Sequence, residues 1–171
     1  LLEAARWAAT WGRRQPVRFV VGIRRAGAER PGDESSGDGT HEALCGLLSR
    51  GNAYAKAASA LILVCADEGD DENTALYSAV DAGAAEANLI IEAVSRGLIT
   101  HPMAGFDVDG ARVAFGIPEQ VRPLMVIAVG SLADYGSVEA EIAERDGKPR
   151  ERLTLDQVAF SGTWDKPWVS K

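Results

Sequence analysis

The sequence has no apolar run long enough to cross a bilayer. Its longest unbroken stretch, Ala60–Ala66, has the length of a buried strand. Cysteine is scarce. Cys45 and Cys65 do not have metal-ligand spacing, and they read as buried thiols of a protein kept in a reducing compartment. No G-x-G-x-x-G follows a strand-like segment, which leaves a Rossmann dinucleotide site without support. Histidine is limited to His41 and His101, and neither lies in a nucleophile or metal-ligand pattern. Positive charge is in deficit: 18 Lys and Arg face 25 Asp and Glu, a net charge of −7 that repels a nucleic-acid backbone. No secretory signal is seen, and the reading is of a cytoplasmic protein without nucleic-acid or membrane partners.

What is present reads as one domain over residues 1–171, since 46% apolar residues in a chain of this length can bury one substantial core. The chain opens in what looks like the middle of a helix, Leu1–Ala9, so an N-terminal segment is expected to precede it. Trp11-Gly12-Arg13-Arg14-Gln15-Pro16 forms a polar turn. Val17–Ile23 then alternates as a strand, with Val17, Phe19 and Val21 on one face. A loop is expected over Arg24–Gly39. Thr40 is placed as the N-cap of a helix to Arg50, with Gly51 as its C-cap and Asn52 opening another short helix.

Ala60–Ala66 is apolar on both faces, as a strand covered on both sides must be. The longest helix is placed at Thr74–Arg96. Leu76, Val80, Gly83, Ala87, Ile90, Ile91 and Val94 share one broad face, and Ser78, Asp81, Asn88, Glu92 and Arg96 the opposite one. A short extended segment at Leu98–His101, a loop from Pro102 to Gly105, an Asp107-capped helix ending near Phe115 and a strand at Leu124–Val129 follow. The tail from Ser131 is mostly charged and irregular, with a last short helix at Leu153–Val158. Strands and helices alternate without regular βαβ units, so the fold class is α+β, a sheet covered by helices.

Several segments in order resemble the nitroreductase family. They are Ala5-Arg6-Trp7-Ala8 leading to Gln15-Pro16-Val17-Arg18-Phe19, then Arg50-Gly51-Asn52, then Asp81-Ala82-Gly83-Ala84-Ala85 with Asn88-Leu89. Pro102-Met103-Ala104-Gly105-Phe106-Asp107 with Ile117-Pro118, Val129-Gly130 and Arg152-Leu153-Thr154-Leu155 complete the set. The resemblance implies a central, mostly antiparallel sheet flanked by helices. It further implies an interleaved homodimer with FMN sites at the subunit interface. The activity implied is ping-pong transfer from NADPH or NADH through FMN to a nitroaromatic, quinone or similar small-molecule acceptor. The chain departs from the pattern at Arg13, where the family usually has a smaller polar residue, and at Val17, where it usually has Trp. The family's N-terminal Arg-Ser-x-Arg segment is absent from the sequence. These departures keep open a second reading, a flavin-binding or flavin-storing protein with little turnover.

The cofactor-binding candidates follow from that resemblance. Gln15, an amide that both donates and accepts, suits the pyrimidine edge or ribityl group, and Pro16 fixes the turn that aims it. Arg13 offers positive charge to the phosphate or to O2 of the ring, or is a solvated surface arginine. Asn52 matches a position that meets the pyrimidine edge, or else caps a helix. Ala104 and Gly105 are expected to aim backbone amides at flavin N5 and O4. Arg152, with Arg150 second, is the phosphate candidate, because a guanidinium pairs with phosphate as a fork; a solvated charge run with Lys148 is the competing reading. The Gln-Pro turn, the Gly-Phe-Asp turn and the late arginine are expected to converge on one pocket. No catalytic side chain and no metal site is assigned. Glu86 and His101 stay open between structural and pocket roles, and Trp164 and Trp168 are expected to pack rather than stand in solvent.

Overall fold

The computed structural model describes residues 1–24 and 39–168, so most of the loop expected at Arg24–Gly39 lies outside the described residues. The chain divides into two compact units, Leu1–Leu132 and Ala133–Lys171.

The first unit is a four-stranded antiparallel sheet in the order β1-β2-β4-β3. Its strands are β1 (Val17–Ile23), β2 (Ala60–Asp67), β3 (Ile99–Met103) and β4 (Val121–Gly130). This is the α+β arrangement read from the sequence. Helices α1 (Leu2–Arg6) and α3 (Glu72–Ser95) cover one side. Helices α2 (Thr40–Leu47) and α4 (Val108–Phe115), with a 3-10 helix at Arg50–Ala57, cover the other. The two central strands therefore alternate between two cores. Leu61, Leu63 and Cys65 of β2 join the α2 side, and Ile62, Val64 and Ala66 join the α3 side. Burial of each of the Leu, Ile and Val side chains among them stabilises the fold by about 1.5–3 kcal/mol. Their two-sided burial is why the segment reads as an unbroken apolar run.

β4 begins three residues before the expected strand, because Pro123 sits inside it. Proline donates no ladder hydrogen bond and belongs at an irregularity. The register between β2 and β4 shifts at Val64/Cys65, where Pro123 stands opposite Cys65. β3 likewise runs on through Pro102 to Met103, because it is an edge strand.

The α2 region also departs from expectation. Gly39, at φ 70°, is the N-cap, and Thr40 is the first helical residue. Left-handed backbone costs a glycine nothing and a threonine a good deal, which decides between them. The helix stops at Leu47, and Gly51 and Asn52 both lie within the 3-10 helix rather than at a junction of two helices. A Cβ on Gly22 would stand 2.6 Å from the His41 backbone, so β1 passes the first turn of α2 only because that residue is glycine.

α3 packs by its small and polar face. Thr74, Ser78, Asp81, Ala82, Ala85, Leu89 and Ala93 are buried. Leu76, Val80, Ile91 and Val94, on the broad apolar face, are 62–69% exposed. The N-terminus of α3 is capped by Asp71, whose carboxylate accepts from the Thr74 backbone N–H at 2.9 Å and its hydroxyl at 2.6 Å.

The second unit holds a short turn at Tyr135–Ser137, α5 (Ala140–Asp146) and α6 (Leu155–Val158). α5 falls in the tail that is expected from sequence to be irregular. It carries no buried residue, so its sequence shows no apolar face to find. α6 opens on a capping box between Thr154 and Gln157. Phe160 bridges to Pro167 and lies 5.2 Å from Trp164, ring centre to ring centre. Trp164 is exposed nonetheless.

Candidate functional site

A cleft of about 430 Å³ opens on the α3 side of β1, between α1, the turn from Ala8 to Gln15, the strand and α3. Its floor is apolar: Ala5, Val17, Phe19, Val21 and Ala85. Its polar groups are Thr10, Gln15 and Asp81, with Arg6 and Arg18 among the lining residues. A flat, largely apolar ring with hydrogen-bonding groups along one edge suits such a lining. Arg6 is paired with Glu3, whose carboxyl those contacts pull down to about 2. Arg18 donates to the Gln15 carbonyl and reaches Asp67 at 3.5 Å. Pro16 is buried, and its carbonyl accepts from the Asp67 N–H at 2.8 Å, which ties the start of β1 to the end of β2.

The turn before Gln15 is unusual. Gly12 and Arg13 are both left-handed, at φ 56° and 61°, and Arg13 is the only non-glycine residue of positive φ among the described residues. The Arg13 side chain is exposed.

A second cluster forms beyond the end of β3. The Gly105 carbonyl accepts from the Ser49 N–H at 3.1 Å, the Ser49 hydroxyl at 2.8 Å and Asn52 Nδ2 at 2.9 Å. A Cβ on Gly105 would meet Ser49 Oγ at 2.7 Å and Asn52 Nδ2 at 2.8 Å. Glycine here admits the chain's own side chains. Nearby, the Tyr54 hydroxyl lies 2.8 Å from His101 Nδ1, a further link between the 3-10 helix and β3.

The expected residues thus divide. Gln15 and Pro16 lie at the β1 edge, beside the α3-side cleft. Asn52, Ala104 and Gly105 lie past the β3 edge, with the α2-side helices. Three strand spacings separate the two edges, about 14 Å. Within one chain the two turns do not share a pocket. Arg150 and Arg152 belong to the second unit, where both are exposed; Arg152 donates to the Glu151 carbonyl at 2.8 Å.

Residues 1–131 match the nitroreductase family. The chain belongs to that family. It is 62% identical over 151 residues to an uncharacterised 15.4 kDa protein of Mycolicibacterium smegmatis, covering 88% of this chain and 99% of that one. It resembles the crystal structure of an oxidoreductase containing FMN, at TM-score 0.79 and 28% identity over 96% of this chain and 80% of the other. A protein from Exiguobacterium sibiricum, solved in complex with FMN, has the same fold at TM-score 0.70 and 20% identity, over 92% and 82% of the two chains. Family and fold together place the chain among the oxidoreductases.

In this nitroreductase-family chain the histidines and thiols take ordinary roles. His41 is buried, with Nε2 3.2 Å from the Ala58 carbonyl and Nδ1 3.6 Å from Cys45 Sγ. That geometry suits Nε2–H donating to the carbonyl and Nδ1 accepting from the thiol. Burial pushes the Cys45 thiol up and takes Cys65 to about 11, so neither is an activated nucleophile. Cys45 is half-buried rather than buried. No helix among the described residues is long and apolar enough to cross a membrane.

Asp81 and Ser49 were not singled out as site residues from sequence. Asp81 was visible as part of the Asp-Ala-Gly-Ala-Ala segment, but its partner is a backbone N–H 70 residues away. Such a contact leaves no mark on periodicity or spacing.

Proposed function

We propose that the chain is an FMN-dependent oxidoreductase domain that passes electrons from NADPH or NADH to a nitroaromatic, quinone or related small acceptor. It works as a cytoplasmic homodimer by a ping-pong mechanism. The observation that carries this reading is the likeness to the FMN-containing oxidoreductase over 96% of the chain. FMN, when bound, supplies the electron transfer. The chain's own residues bind and orient it. Gln15 offers an amide at the mouth of the apolar cleft, and Arg152 and Arg150 offer guanidinium groups to the phosphate. Asn52 and Ser49 hold the Gly105 carbonyl and so fix the Ala104–Gly105 turn, whose backbone N–H groups are the donors proposed for the ring.

The division of the site supports a dimer. A pocket built from the β1 edge and the Ala104–Gly105 turn is completed by a second copy, which contributes the half that one chain keeps on its far side. The exposed stripe of Leu76, Val80, Ile91 and Val94 on α3 supports the same reading, because so continuous an apolar face calls for a covering surface.

The test is anaerobic titration of the purified protein, loaded with FMN, by NADPH or NADH. Bleaching of the flavin absorbance, and its return on addition of a quinone, is the expected result. A protein that holds FMN but is not bleached by either donor is a flavin carrier. A protein that does not hold FMN refutes the reading.

A further inference from the structure

We infer that Asp81 is a positioning residue for this site: its carboxylate clamps the left-handed turn at Trp11–Arg14 and so sets Gln15 in the cleft. The inference rests on the flavin reading above for its ligand, and on the following contacts for its substance.

Both Asp81 oxygens accept from the Trp11 N–H, each at 3.1 Å. Asp81 is 6% exposed, and among the described residues this backbone N–H is its one hydrogen-bond donor. It makes no salt bridge to a described cation. A buried carboxylate without a cation is costly, and an apolar residue of similar size would fill the place more cheaply. What the carboxylate does there is hold a backbone. Two further ties fasten the same turn to α3. The Trp11 and Tyr77 rings stack, with centroids 5.4 Å apart and planes 13° apart. Arg14 pairs with the α3 cap Asp71 at 3.2 Å.

The held turn is strained. Left-handed backbone is disfavoured for any residue with a Cβ, and Arg13 adopts it two residues before Gln15. Strain of this kind persists only where surrounding contacts over-determine it. Asp81 meets the turn at its first residue, on the side facing the cleft that it lines together with Gln15. Released from that hold, Trp11–Arg14 can relax toward right-handed backbone, and the direction in which Gln15 leaves the turn changes.

Two measurements test the clamp. The first needs no flavin. Trypsin cuts after Arg13 and Arg14 only when the turn opens, and after Arg112 in α4 when that part of the fold opens. Asp81→Ala is expected to speed cutting after Arg13 and Arg14 about tenfold in the apo protein and to leave cutting after Arg112 unchanged. Asp81→Asn retains one acceptor oxygen and is expected to restore most of the protection. Asp81→Leu carries the comparison if the alanine variant does not fold. The second measurement is a double-mutant cycle on the FMN Kd, read by quenching of flavin fluorescence. Asp81→Ala and Gln15→Ala are each expected to weaken binding about tenfold, with the double variant no weaker than Gln15→Ala alone.

Unchanged cutting after Arg13 and Arg14 in D81A overturns the clamp. Effects on Kd that multiply instead of merging overturn the claim that Asp81 acts through Gln15. A wild-type protein that binds no FMN removes the flavin reading, and the protease result still decides the clamp.

Discussion

Asn52 Nδ2 donates to the Gly105 carbonyl at 2.9 Å, so a single side-chain amide fastens the turn after β3 to the 3-10 helix before β2. Ser49 adds its hydroxyl to the same carbonyl, and Gly105 leaves room for both only because it has no Cβ. This close fit shapes the backbone whose N–H groups are proposed to face the flavin.

Gly105→Ala is therefore expected to push Ser49 and Asn52 aside. Overpacking of this kind costs about 1–3 kcal/mol, and it should appear as a lower midpoint in urea unfolding together with weaker FMN binding. An alanine variant as stable as the wild type would mean that the two side chains yield freely.

Charge on the α3 stripe is expected to break the dimer. Val80→Asp with Ile91→Asp places carboxylates where the exposed apolar face is to be covered, and both positions face solvent in the single chain. Light scattering should show a monomer that is still folded by circular dichroism and that has lost most of its FMN affinity. A double variant that remains dimeric would place the interface elsewhere.

Arg13→Gly relieves left-handed strain at an exposed side chain. The relief, less the added entropy of the unfolded chain, should stabilise the protein by about 0.5–1 kcal/mol. That corresponds to a rise of about 1–4 °C in the thermal midpoint for a chain of this size. If FMN binding falls at the same time, the guanidinium itself contacts the ligand.

Burial raises the Glu86 carboxyl above its ordinary value of 4.5. The folded state then holds this proton more tightly than the unfolded state does. Its contribution to stability is present below the ordinary value and is lost as pH rises through the raised one. Glu86→Gln should accordingly be more stable than wild type at pH 7 and differ little at pH 4. Urea unfolding at the two pH values checks the sign, and an equal gain at both would show that Glu86 does not titrate in this window.

Arg152 makes no ion pair with a described carboxylate, so its guanidinium is available to a phosphate. Arg152→Ala is expected to weaken FMN binding about tenfold or more in equilibrium dialysis, the scale of one charge-assisted hydrogen bond. Unchanged affinity would remove Arg152 from the phosphate role.

Much of this fold can be read in the chain. The alternation in Val17–Ile23, the seven apolar residues of Ala60–Ala66 and the Asp107 cap each identify an element, because each reflects a local rule of backbone or burial. Pro123 hid the start of β4, since a proline speaks against a central strand and only the bulge opposite Cys65 reconciles the two. α5 stayed hidden because it has no buried face. The ordered motifs carried the family, and with it the fold.

By itself, then, the sequence determined most of the strands and helices of the first unit, their order, and the family they belong to, because these follow from patterns within a few residues or from motifs in series. The tertiary structure alone decided that α3 turns its small, polar face to the sheet and its large apolar face outward. Periodicity separates the faces of a helix without saying which one meets the core. It also decided that the Gln-Pro turn and the Gly105 turn lie at opposite edges of one sheet, and that Asp81 reaches across 70 residues to a backbone N–H. Each of these depends on how strands are ordered in space and on contacts to the main chain, which every residue carries alike.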